Sequence, residues 1–95
     1  MRRVIVRYKL KADRLEEHEK LVRAVFEELA SKAPAGIRYG AFKNGLEFTH
    51  IAFIEAPKNP LDDVAAFKAF GERIKERCEE APVVTTVETV GAFGF

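Results

Sequence analysis

The sequence predicts an α+β fold in which one four-stranded antiparallel sheet carries two helices on a single face, in the order βαββαβ. Three observations predict it. The stretch from Gly36 to Pro57 holds two apolar, β-branched and aromatic runs joined at Asn44-Gly45, a pair that accepts the left-handed backbone of a tight hairpin turn. Strand-like segments open and close the chain, from Arg3 to Lys11 and from Val83 to Val90. Between them and the hairpin lie two intervals in which apolar residues recur at helical spacing. Right-handed crossovers from strand one to strand two, and from strand three to strand four, then give a ferredoxin-like sheet.

Each element follows from its residues. In the first strand Val4, Val6, Tyr8 and Leu10 alternate with Ile5, Arg7 and Lys9. Asp13 and Glu16 have the spacing of a capping box, and Leu15, Leu21, Val22, Val25, Phe26 and Leu29 form the inward stripe of a helix reaching about Ser31. If Asn44 and Gly45 are the whole loop of the hairpin, Lys43 pairs with Leu46 and the ladder sets Tyr39 opposite His50, with Ala41 and Phe48 on the same face. Arg38, Gly40, Phe42, Thr49, Ile51 and Phe53 take the other face. A second helix starts at Asn59 and Pro60, turns Val64, Phe67, Phe70, Gly71, Ile74 and Cys78 inward, leaves Arg73, Lys75, Glu76 and Arg77 to solvent, and closes at Pro82. The last strand ends in a glycine-loosened tail carrying Phe93 and Phe95.

Ninety-five residues suit one domain, residues 1–95, with a single core. Sixteen basic and 15 acidic residues leave a formal charge of +1 and no basic block, which speaks against a nucleic-acid partner. No apolar run approaches a membrane span, and Met1-Arg2-Arg3 leads into a strand rather than a signal-peptide core. Cys78 is the lone cysteine and fits a reducing compartment, so the expected location is the cytoplasm. Both faces of the third strand are apolar, and a sheet with helices on one side leaves the other bare. A homodimer through the sheet faces is the simplest remedy.

Chemistry centres on His50. Opposite Tyr39 in an apolar strand, it can serve as a general base or simply be satisfied by its neighbour. His18 falls in the apolar stripe of the first helix, where it looks at the same sheet face or sits at the helix edge, and Tyr8, on the Val4 and Val6 side of the first strand, lines a cavity or hydrogen-bonds at the rim of the core. Phe48 and Phe67 are core or cavity wall. Gly71 interrupts the second helix, as a site of close packing or of room left for a ligand. Two histidines without an inward carboxylate do not make a metal site, and no phosphate-binding glycine motif is present, so no cofactor is expected.

Val4-Ile5-Val6-Arg7-Tyr8-Lys9-Leu10-Lys11, the amphipathic first helix, Ala35-Gly36-Ile37-Arg38-Tyr39 and Phe48-Thr49-His50-Ile51-Ala52-Phe53-Ile54-Glu55 together resemble the dimeric α+β barrel superfamily. Within it, the chain is most similar to the small antibiotic biosynthesis monooxygenase-like proteins. The resemblance implies a homodimer with facing sheets and a ligand cavity in each subunit between sheet and helices. It also implies, for some members, oxidation of polyketide-like aromatics without metal or cofactor, and for others haem degradation. Active relatives often carry a Trp near the end of strand three, an Asn on strand one and a His on helix two. Here Ile54 and Val6 stand at the first two positions, the chain has no Trp, and its second helix has no His, so the axial ligand for haem is missing.

The expected function is that of a cofactor-independent monooxygenase-like enzyme acting on an apolar, aromatic or enolisable small molecule. In it His50 takes a proton from the substrate while Tyr39 or Tyr8 holds the oxyanion. The alternative is a non-catalytic dimeric ligand-binding or accessory module in which His50 and Tyr39 are bonded to each other. A cavity beside His50 favours the first reading and a packed interior the second.

Overall fold

In the computed structural model, which describes residues 1–95, strands β1 (Arg2–Leu10), β2 (Ile37–Asn44), β3 (Glu47–Ile54) and β4 (Cys78–Thr86) form one antiparallel sheet. Their order is β2-β3-β1-β4, the predicted ferredoxin-like arrangement. Helix α1 (Leu15–Lys32) and the shorter α2 (Ala65–Gly71) and α3 (Ile74–Arg77) lie in the two crossovers, with 3-10 turns at Ala12–Arg14 and Pro60–Asp63. The helices cover the face carrying Tyr8, Leu10, Phe48, His50, Ala52 and Ile54, all of them buried. Thr49, Ile51 and Phe53 look the other way. The side of the sheet that meets the helices is therefore the His50 side.

The hairpin turns one step later than the Asn-Gly pair suggests. Asn44 is still in the ladder, paired with Glu47, and the loop is Gly45-Leu46, with Gly45 at φ 62° in its first position. A glycine there gives the turn its positive φ without a Cβ penalty, and Asn44 keeps extended geometry. The register moves by two residues, so Tyr39 faces Ala52 and His50 faces Ala41. Because side chains alternate with period two, the shift leaves Tyr39 and His50 on the same face as diagonal neighbours.

Helix α1 is entered without the expected capping box. Asp13 lies inside the preceding 3-10 turn, and no side chain caps the helix at Arg14. The other end closes through Ala33, left-handed at φ 44°, whose N–H donates to the Leu29 carbonyl. Asn59 does cap, accepting from the Leu61 N–H at 3.0 Å, with Pro60 at the first position of the turn. Both carboxylate oxygens of Glu28 in α1 accept from the free Ala65 and Ala66 N–H groups that open α2. That contact ties the two crossovers together.

The long second helix predicted from the sequence is interrupted. Alpha-helical backbone stops at Gly71, Arg73 turns left-handed at φ 56°, and after one turn at Ile74–Arg77 the chain is already a strand at Cys78. Cys78 thus belongs to β4. Pro82, expected to end a helix, sits inside β4, where the register slips between the Arg7–Val83 and Lys9–Glu80 pairs. An edge strand with a bulge is the place where a missing N–H does no harm. Gly71 is exposed with open space around it, and Arg77, assigned to solvent by the helical stripe, is only 3% exposed. Both assignments came from extending a helical period across a segment that changes structure.

Past β4 the tail from Val87 to Phe95 crosses the open face of the sheet. It starts from a hydrogen bond of the Val87 N–H to the Arg3 carbonyl and ends with the Phe95 ring 5.6 Å from that of Phe53.

Candidate functional site

Tyr8 on β1, His50 on β3 and Tyr39 on β2 project from neighbouring strands toward the helices, and His18 on α1 comes down onto them. Tyr8 is the hub. Its hydroxyl lies 2.6 Å from His18 Nε2 and 2.7 Å from His50 Nε2. On the far side of the His50 ring, Nδ1 is 2.5 Å from the Tyr39 hydroxyl. On the far side of His18, Nδ1 accepts from Arg77 Nε at 3.0 Å. Five side chains, each from a different element, therefore make one unbroken series, Arg77, His18, Tyr8, His50, Tyr39.

Aromatic rings seal it. Phe48 stacks on Tyr8 at 5.3 Å and meets His18 edge-on, and Phe70 stacks on His50 at 5.3 Å. Phe26 stacks on Tyr39 at 5.1 Å, while Phe67 meets the same ring edge-on. Within this wall His18 is wholly buried and His50 nearly so, whereas Tyr39 is half-buried. Tyr39 is the end of the series nearest to solvent.

Burial decides the charge state of both imidazoles. Desolvation, helped at His18 by the Arg77 charge, lowers each to about 4, so both are neutral at physiological pH. The same desolvation raises both phenols well above their usual range. Every buried side-chain nitrogen and oxygen has a partner.

Arg77 is a buried cation whose ion-pairing partner is no carboxylate. Its guanidinium donates instead to the Glu72 carbonyl through Nη1 at 3.0 Å and to the Phe70 carbonyl through Nη2 at 2.5 Å. These are carbonyls that an uninterrupted helix would have used itself, and the break after Gly71 frees them. The seat of the cation is thus built by the interruption of the helix. A glycine in mid-helix was the one trace of this in the sequence.

Of the residues singled out from the sequence, His50, Tyr39, His18, Tyr8, Phe48 and Phe67 converge on this cluster, and Gly71 does not. The residue missed was Arg77. The space around His50 is occupied by the rings of Tyr8, Tyr39, Phe48 and Phe70. Two grooves lie farther out. One of ≈ 730 Å3 runs between the open sheet face and the tail, lined by Ile5, Arg38, Ile51, Phe53, Val90 and Phe95 among others. Another of ≈ 530 Å3 is open to solvent between α1 and β2, lined by Val22, Phe26, Ala30 and Ala41 with Arg23 and Glu27 at its rim. Phe26 is the ring that stacks on Tyr39. No side-chain cluster of the kind that holds a metal ion is present, and no helix is long and apolar enough to cross a membrane.

No protein-family model and no curated protein sequence matches the chain. Solved structures do. A protein of Mycobacterium tuberculosis superposes with a TM-score of 0.74 at 18% identity, covering 96% of each chain. A candidate antibiotic biosynthesis monooxygenase from Nitrosomonas europaea superposes with the same TM-score of 0.74 at 13% identity, covering 96% of this chain and all of that one. Another from Caulobacter crescentus gives 0.69 at 17% identity over 95% of this chain and 90% of that one. At these identities the likeness is one of fold, and it is the fold that the sequence resemblance implied.

Proposed function

We propose, from a fold shared with proteins named as antibiotic biosynthesis monooxygenases, that this chain acts as a homodimer on a phenolic or enolisable small molecule without a cofactor. The observation that carries the reading is the hydrogen-bonded series ending at the half-buried Tyr39 hydroxyl. Tyr39 meets the ligand oxygen, and His50, with both ring nitrogens already engaged, acts through Tyr39 rather than by direct contact. A ligand held as its enolate or phenolate is electron-rich enough to react with dioxygen, which is the step such a site assists. The apolar wall of Phe26 and Phe67 suits an aromatic ligand, and the groove beside Phe26 is its route of approach.

The dimer forms through the open sheet face, where Ile5, Ile51 and Phe53 require cover. A second reading, a non-catalytic binding or accessory module, is favoured by one observation: the cluster leaves no buried polar atom unpaired. Oxygen uptake with a panel of phenols and 1,3-diketones separates the two. The catalytic reading expects uptake that His50→Ala abolishes while native mass spectrometry still finds the dimer. Uptake unchanged in His50→Ala sinks the role of the cluster, and no uptake with any member of the panel supports the binding module.

A further inference from the structure

One end of the hydrogen-bonded series has no freedom of direction. Arginine carries donors and no acceptor, so Arg77 Nε–H donates to His18 Nδ1, and that nitrogen bears no proton. The single proton of the neutral His18 ring is then on Nε2 and is donated to the Tyr8 oxygen. Tyr8 has one hydroxyl proton, and it goes to the other partner, Nε2 of His50. His50, accepting at Nε2, keeps its proton on Nδ1 and donates it to the Tyr39 oxygen. The Tyr39 hydroxyl proton is the only one in the series with no acceptor inside it.

We propose that Arg77 is a positioning residue that, through His18, Tyr8 and His50, makes the Tyr39 hydroxyl an outward hydrogen-bond donor, so that the site favours a ligand presenting an acceptor oxygen: an enolate, phenolate or carbonyl. The reverse direction is blocked. For Tyr39 to turn its proton inward, each donor in the series would have to invert, and the His18 proton would be driven onto Nδ1 against the Arg77 N–H. Arg77 does not yield, because two further N–H groups hold it to the Phe70 and Glu72 carbonyls. Its charge, buried and unmatched by a carboxylate, also favours a ligand that brings negative charge. The ligand class rests on the reading of Tyr39 as the ligand-facing end; the direction of the series does not.

Long-range proton–nitrogen NMR on full-length protein with isotope-labelled histidine reads the tautomers directly at neutral pH. The expected wild-type spectrum shows His18 protonated on Nε2 alone and His50 on Nδ1 alone. His50 protonated on Nε2 overturns the proposal. Arg77→Met is expected to release both rings into mixtures of tautomers and Arg77→Lys, which keeps a donor, to restore the single forms; wild-type tautomers persisting in Arg77→Met overturn it. Should Arg77→Met fail to fold, Tyr39→Phe serves as the second variant. Removing the outer end is expected to leave the His18 tautomer unchanged, and a changed one refutes direction from Arg77.

The ligand class is tested with para-nitrophenol, whose visible absorbance reports its ionisation. A donor-only site binds the phenolate about tenfold or more tighter than the phenol, moving the ionisation of the bound probe to lower pH. A shift to higher pH, or no binding while the tautomers are as expected, overturns the ligand class and leaves the direction of the series standing.

Discussion

Arg77 and His18, 59 residues apart in the chain, are joined by a buried hydrogen bond of 3.0 Å from Nε to Nδ1. The contact unites α1 with the turn that follows the break in the second crossover. It also places the only fully buried cation against a ring that burial keeps neutral.

Tyr8 is the residue whose loss isolates the most polar atoms. Tyr8→Phe keeps the stacking on Phe48 but strips one partner from each histidine, leaving two buried ring nitrogens unpaired. At about 1–3 kcal/mol for each unsatisfied buried group, the expected destabilisation is roughly 2–6 kcal/mol. Tyr39→Phe orphans one nitrogen at a half-buried position and costs about half as much. Urea unfolding of the two variants checks the order, and a larger loss for Tyr39→Phe contradicts the hub position of Tyr8.

Acid sensitivity follows from the histidines. Both fold with values near 4 against an ordinary 6.5, so between those limits the unfolded chain binds more protons than the folded one. Stability from this source is complete above about pH 6.5 and is lost as pH falls toward 4, by roughly 3 kcal/mol for each ring. Around His18 the Arg77 charge works with burial, while Glu17 and Glu19 oppose it. Stability measured from pH 7.5 to 4.5 should therefore stay nearly level to about pH 6.5 and decline below it. A flat profile would mean that neither ring is held neutral by the fold.

The turn makes a sharp local prediction. Gly45→Ala forces a Cβ into φ 62°, with an expected cost of about 1 kcal/mol, whereas Asn44→Ala, in extended backbone within the ladder, costs a few tenths. Gly36→Ala is more severe than either, because φ 82° combines with a Cβ that would lie 2.9 Å from that of Ala56. Thermal melts of the three variants give the ranking, and a larger loss at Asn44 would restore the Asn-Gly turn.

Assembly is tested on the open face. Ile51→Asp puts a charge where a partner sheet is proposed to pack, on the side away from His50, so it should shift dimer to monomer by tenfold or more in dissociation constant while leaving the histidine tautomers untouched. Native mass spectrometry across a dilution series reads the change. An unaltered distribution removes this face from the interface.

The order of elements was written in local pattern: strand alternation around Val4, helical spacing through Val25, and turn residues near Gly45. Those signals are short-range, and they carried the sheet order and the face shared by Tyr39 and His50 even though the register slipped. A shift by two residues preserves side-chain parity, so the pair survived an error in its own derivation. His18 was legible only in part: its place in the apolar stripe allowed an inward or an edge position, and the fold buries it completely.

The helix break was not legible in the same way. From Val64 to Cys78 the apolar residues keep a helical period, yet the chain leaves the helix at Gly71 and enters β4 at Cys78, because β4 gains its backbone partners from β1. Pairing between distant segments outweighs local propensity there. That same break frees the carbonyls that hold Arg77, so the cation's position, the tautomers it sets and the outward Tyr39 proton were decided only once the tertiary structure brought the segments together. By itself the sequence determined which residues share a face of each strand and of the first helix; the fold decided which face turns inward and which side chains touch, because a hydrogen bond depends on distance and direction that local periodicity does not contain.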